Sequence, residues 1–269
     1  MRAIITTLVV GGLFVATQGM GQAQTNRRYS VASRTATSNP SRGQAAMDAA
    51  AGDGQYLFVF FWKANDKQTQ TMRGVFQSAL NQWSGSASSI SIQITDPNEK
   101  SLVAKFGVRR APMPLVVAIA PTGAITKAFP IRFTGQQLRK AFVSPGTARC
   151  MKALQDRKLV LLCIQNGKSE FQQAALQGVQ AFQADARFST STEVVTIDPD
   201  DNAERPFLQS LQVDPHTPTA VTVLLSPPGK TVATFAGAVS KEQIAARLTA
   251  AKSSCCPGGK CGPGGCCPK

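Results

Sequence analysis

The sequence predicts an α/β chain: two tandem copies of one module, each a central mixed sheet flanked by helices, followed by a Cys/Gly/Pro-rich tail expected to be disordered. Three observations predict it. Apolar strand-like runs alternate with stretches of helical periodicity, the order that gives parallel pairing. Each half also carries two strand-like runs around a Pro/Gly turn before its last helix, which adds an antiparallel hairpin. Fixed marks also recur: Asp96-Pro97 and Asp198-Pro199 each end a strand, and Pro112 to Gly123 spans eleven positions, as does Pro218 to Gly229.

In the first copy a short Ala-rich helix is expected at 44–51. Residues 56–62, YLFVFFW, form a continuous apolar run suited to a strand buried on both faces. Residues 66–83 have helical spacing through Met72, Val75, Phe76, Ala79, Leu80 and Trp83. Ile90, Ile92 and Ile94 alternate in a strand at 89–96, and a helix follows at 97–106. Strands at 114–120 and 124–130 flank a turn at 121–124, and a helix at 134–142 closes the copy. The second copy repeats this order: a strand at 158–164, a helix at 168–185, a strand at 193–200 and a helix at 201–211. Strands at 219–226 and 231–237 and a helix at 240–248 complete it. Ser240 with Gln243 three residues on predicts a capping box.

The 269 residues suffice for about two domains, and 43% hydrophobic residues exclude a disordered chain. Residues 1–23 read as a secretory signal: Arg2, an apolar run over 3–16, and the small-x-small site Gly21-Gln22-Ala23. The mature protein is therefore expected to be exported, to periplasm or extracellular space, with no stable membrane span. Residues 24–43 lack an apolar period and read as a disordered linker. The first domain is placed at 44–143, the second at 144–251 with a linker near 143–148, and the tail at 252–269.

The formal charge is +14, and it is uneven. From Lys100 to Gln155 there are ten basic residues and no Asp or Glu. Such a run attracts polyanions. No aromatic residues interleave with it as stacking platforms require, so nucleic acid is not signalled. The chain has one histidine, His216, which excludes multi-histidine metal sites and argues against a Ser-His-Asp or Cys-His centre.

Two stretches carry a resemblance. Phe60-Phe61-Trp62 ends the first strand, and Gly107-Val108-Arg109-Arg110-Ala111-Pro112-Met113 precedes the third, with Val213 to Thr219 a looser second copy. Over about 44–250 the chain resembles the thioredoxin-like superfamily, as two tandem modules. The resemblance implies cis-prolines at Pro112 and Pro218. It also implies that Asp66 and Thr69 stand where thioredoxins carry the two cysteines of a Cys-x-x-Cys motif. A carboxylate cannot exchange disulfides, so neither module is expected to be a dithiol oxidoreductase; Asp66 reads as a helix cap. Modules of this kind without cysteines bind polypeptide, which the resemblance implies for the proline loops, whose backbone can pair with an extended peptide.

Of seven cysteines, Cys163 lies in a buried-strand run and Cys150 near a helix start. The other five, Cys255, Cys256, Cys261, Cys266 and Cys267, crowd the Gly/Pro tail. Four readings of the tail stay open: ligation of a soft metal such as Cu or Zn, disulfides within the tail or to a partner, a mobile dithiol for thiol-disulfide exchange, and a knotted end cap.

Overall fold

The computed structural model describes residues 40–253. The signal, most of the predicted linker and the five tail cysteines lie outside the described residues. Strand β1 (Tyr56–Trp62) is central in the first sheet, which has the order β2-β1-β3-β4 with β2 (Ala87–Gln93), β3 (Leu115–Ile119) and β4 (Ile125–Pro130). It runs parallel to β2 and antiparallel to β3. The second sheet repeats this as β6-β5-β7-β8, from β5 (Leu159–Ile164), β6 (Thr192–Ile197), β7 (Val221–Ser226) and β8 (Lys230–Ala236).

The apolar run of β1 follows from burial on both faces. Leu57, Val59 and Phe61 face a core covered by α1 (Arg42–Gly52) and α3 (Lys100–Lys105). Phe58 and Phe60 face one covered by α2 (Lys67–Leu80) and α4 (Gly135–Arg139). The second half repeats the arrangement. Val160, Leu162 and Ile164 pack under α5 (Pro145–Gln155) and α7 (Arg205–Ser210), and Leu161 and Cys163 under α6 (Gln172–Gln183) and α8 (Lys241–Ser253). Ser240 and Gln243 form the expected reciprocal cap on α8, and Thr134 with Gln137 caps α4.

Several boundaries differ from the sequence expectation, each for a local reason. The sheet part of β2 ends at Gln93, because Asp96 turns the chain by accepting from the Asn98 N–H at 2.9 Å. Helix α6 starts at Gln172 rather than 168: Asn166 closes a turn on the Lys168 N–H, and Glu170 is drawn into a bridge with Thr219. Residues 143–148 are not a loose linker. Ser144 caps α5, and the Tyr56 hydroxyl both donates to the Val143 carbonyl (2.9 Å) and accepts from its N–H (3.0 Å). Gln155 of α5 and Ile125 of β4 exchange a reciprocal pair of bonds across the same junction.

The cis-proline expectation is corrected. The cis bonds are Met113-Pro114 and Pro227-Pro228, so Pro112 and Pro218 are trans. Counting from Gly107 stops at the first proline, whereas the residue at the strand mouth is Pro114, whose carbonyl accepts from the Ile131 N–H at 2.7 Å.

A device absent from the sequence reading supports both halves. Glu99 is buried (3% exposed), and its carboxylate accepts from the Gly43 N–H at the start of α1. Glu204, equally buried (4%), accepts from the Gly146 N–H at the start of α5 and from the Ser144 hydroxyl. A helix N-terminus favours a negative charge, and here it receives one from inside the core.

Candidate functional site

The first-turn residues of α2 and the proline loop before β3 converge at one end of the first sheet. Asp66 is the helix cap, and its carboxylate accepts from the Thr69 N–H at 2.7 Å. Hydrogen bonds from Thr69, the main-chain one foremost, hold the Asp66 carboxyl below its usual range. Thr69 is buried. Asp66 is thus an ionised helix cap and Thr69 a packed hydroxyl. The Gln68 side chain donates to the Ile131 carbonyl at 3.3 Å, and Ile131 in turn donates to Pro114, so helix start and proline loop are tied through one residue. Ile131 has φ 66° and is 43% exposed, a large apolar side chain held open beside the loop.

In the second half the same corner is arranged differently. The Glu170 N–H donates to the Pro218 carbonyl (2.8 Å), and the Ala220 N–H donates to the Glu170 carbonyl (2.9 Å). Glu170 pairs there as a parallel strand segment with Thr219. Phe171 follows with φ 60° and 58% exposure and lies over Gly237, where an added Cβ would stand 3.5 Å from its ring. Gly237 donates to Ala220 as Ile131 does to Pro114, so the two corners correspond residue by residue. In both halves the start of the second helix faces the loop leading into the third strand, within a sheet of identical order and direction. Each half has a thioredoxin-like fold.

No family model matches this sequence, and no curated protein matches it. Among solved structures the chain is similar to the germline-specific thioredoxin Deadhead of Drosophila melanogaster, at 14% identity over 38% of this chain and 90% of that one, with a TM-score of 0.31. It is also similar to human ERp44 in its zinc-bound form, at 9% identity over 79% of this chain and 60% of that one, TM-score 0.34. For StoA of Bacillus subtilis the values are 16%, 33% and 82%, with a TM-score of 0.27.

The open and closed corners of the thioredoxin-like modules differ in what their backbones offer. In the second module Pro218 C=O and Ala220 N–H are both spent on Glu170. In the first, among the described residues, the Pro112 C=O has no protein partner and Pro114 has no N–H to give; the Met113 N–H and C=O are unpartnered, as are those of its counterpart Thr219, but no chain segment lies along Met113 as Glu170 lies along Thr219. Sequence reasoning placed both proline loops on equal footing. The sign that separates them is Glu170-Phe171 before α6, which it absorbed into the helix.

The remaining candidates fall outside this corner. Burial pushes the Cys150 thiol up to about 12, with the Glu204 carboxylate adding to the rise, and burial pushes Cys163 up to about 11. Both stay neutral thiols at physiological pH and are core residues, not nucleophiles. His216 is exposed in the second proline loop, its main-chain N–H donating to Asp214 at 2.9 Å. Among the described residues no group of three or more His, Cys, Asp or Glu could hold a metal ion, and no helix is long and apolar enough to cross a membrane. The basic run does not make one face: Lys100 and Lys105 belong to α3, Arg139 and Lys140 to α4 and its C-cap, on opposite sides of the sheet.

Proposed function

We propose that this is an exported, non-catalytic binding protein that holds extended polypeptide at the first proline loop, with its sulfur chemistry confined to the tail. The observation that carries the reading is the contrast between corners. A strand segment of its own chain, Glu170, lies along the second loop and takes the Pro218 carbonyl, whereas the matching Pro112 carbonyl has no partner among the described residues and no such segment lies along Met113, beside exposed Ile131. An unpaired main-chain edge next to an apolar side chain suits an extended peptide: the backbone gives affinity and the side chain gives selectivity. Asp66 and Thr69 leave the corner without a thiol.

Calorimetry of the full chain against a panel of neutral, extended decapeptides tests this. Peptide is expected to bind once per chain. Met113→Pro, which removes the donor, weakens binding at least tenfold, while Met113→Ala and Pro218→Ala leave it within threefold. Equal affinity for Met113→Pro, or insulin reduction by a chain whose five tail cysteines are all changed to Ser, overturns the proposal.

The concentration of five cysteines in a Gly/Pro setting gives the tail two alternative roles, ligation of Cu or Zn and thiol-disulfide exchange. Thiol counting with metal analysis on natively purified protein separates them. Free tail thiols with stoichiometric metal select ligation, and oxidised, metal-free sulfurs select a disulfide cap or exchange, which insulin reduction then separates.

A further inference from the structure

Beyond the carboxyl ends of β1 and β2 in the first module lies a cleft of about 560 Å³. Three cations line it: Lys63, the residue after β1, Lys100 of α3, and Arg109 in the turn before the proline loop. Its apolar lining comes chiefly from Ile94, Val103 and Ala104. Among the described residues none of the three cations has an ion-pair partner. The one carboxylate at the cleft, Asp96, already accepts the Asn98 N–H. The place and the size suit a small-molecule site: ligands of open α/β sheets bind outside the carboxyl ends of the strands, in clefts of roughly 300–1,000 Å³.

The second module supplies the contrast. Its cleft by the corresponding strand ends is about 200 Å³ and is lined by Lys168, Asp200 and His216 among others. There the charged groups already have partners of their own chain. Asn166 donates to both Asp198 and Asp200 at 3.0 Å, and Lys168 pairs with Asp200 at 3.4 Å. One copy pairs its lysine with a carboxylate, and the other has gathered three cations without ion-pair partners around an apolar floor.

We infer that the first-module cleft binds a small amphipathic anion, its carboxylate or phosphate head held by Arg109, Lys100 and Lys63 and its apolar body laid on Ile94, Val103 and Ala104. Arg109 offers the planar fork that pairs with an oxyanion through two parallel bonds, and the lysines act as point charges. The site is independent of the peptide edge at Met113. Because the cations are exposed, affinity falls as salt rises.

The test is calorimetry of the full chain with octyl phosphate and octanoate, using octanol and inorganic phosphate as half-probes. One octyl anion is expected to bind per chain, at least tenfold tighter than either half-probe, and the tighter of the two heads assigns the anion. The double variant Lys100→Gln/Arg109→Gln weakens it tenfold or more with an unchanged melting temperature, and Lys168→Gln leaves it unchanged. Inorganic phosphate binding as tightly as octyl phosphate, undiminished binding by the double variant, or no binding of either octyl anion by the wild-type chain overturns the inference.

Discussion

Glu204 shows what a single side chain does for this fold. It takes the Gly146 N–H and the Ser144 hydroxyl from the start of α5, and both lie buried. Removing the carboxylate strands the Gly146 N–H, a loss of about 1–3 kcal/mol for a buried unpaired group, while the Ser144 hydroxyl keeps Thr147 Oγ1 at 2.7 Å. Glu204→Ala is therefore expected to destabilise the chain by about 1–3 kcal/mol in urea unfolding. Glu204→Gln, which can still accept from Gly146, costs less than half as much. A loss below about 1 kcal/mol for the alanine variant would contradict this role. The role was not legible in the sequence, where Glu204 falls inside the helix expected at 201–211 with nothing to mark it as buried. The repeat does contain a signal. Glu99 lies 56 residues after Gly43, and Glu204 lies 58 after Gly146. Asp96 to Glu99 recurs as Asp201 to Glu204, three residues beyond the Asp198-Pro199 mark. Asp66, by contrast, was readable as a cap from its type and place, because capping is local.

Local rules placed most elements, and they failed where a distant segment competes. The apolar runs of β1 and β5 and the hairpins are set by burial and turn chemistry that a short window contains. The start of α6 is not, since Glu170 leaves helical geometry to pair with Thr219, 49 positions away in the chain by residue number. The proline loop failed for a related reason: which of Pro112 and Pro114 enters the strand depends on the register with β4. Packing between helices gives a prediction at this scale. Gly178 of α6 faces the backbone before α8, and an added Cβ would overlap the Val239 carbonyl. Gly74 of α2 is exposed, with nothing within 4 Å of that position. Helix propensity favours Ala over Gly by about 1 kcal/mol at both. Gly74→Ala is expected to stabilise by about 0.5–1 kcal/mol, and Gly178→Ala to destabilise by about 2 kcal/mol or more, because overpacking against backbone outweighs propensity. Denaturant midpoints decide it, and a stabilising Gly178→Ala would show that α6 and α8 are not in backbone contact.

Across the molecule, one module has been used twice and the copies have diverged at corresponding places. At the proline corner the second copy is closed by Glu170 and Phe171, and the first is open at Met113. At the strand ends the second copy pairs its lysine with a carboxylate, and the first leaves three cations without ion-pair partners. The duplication was visible in the sequence through its repeated marks. The divergence was not, because it lies in which backbone groups and charges are already satisfied, a property of the folded chain. Both differences are the ground on which binding is proposed for the first module, with the second as its packed neighbour, joined through Tyr56, Val143 and the Gln155–Ile125 pair. The most direct test is amide hydrogen exchange on the full chain with and without a decapeptide from the binding panel. The Met113 amide is expected to exchange quickly in the free protein and to slow at least tenfold on saturation, with the Glu170 and Ala220 amides protected in both states and unchanged. Protection appearing at the second proline loop while Met113 stays fast would contradict the account.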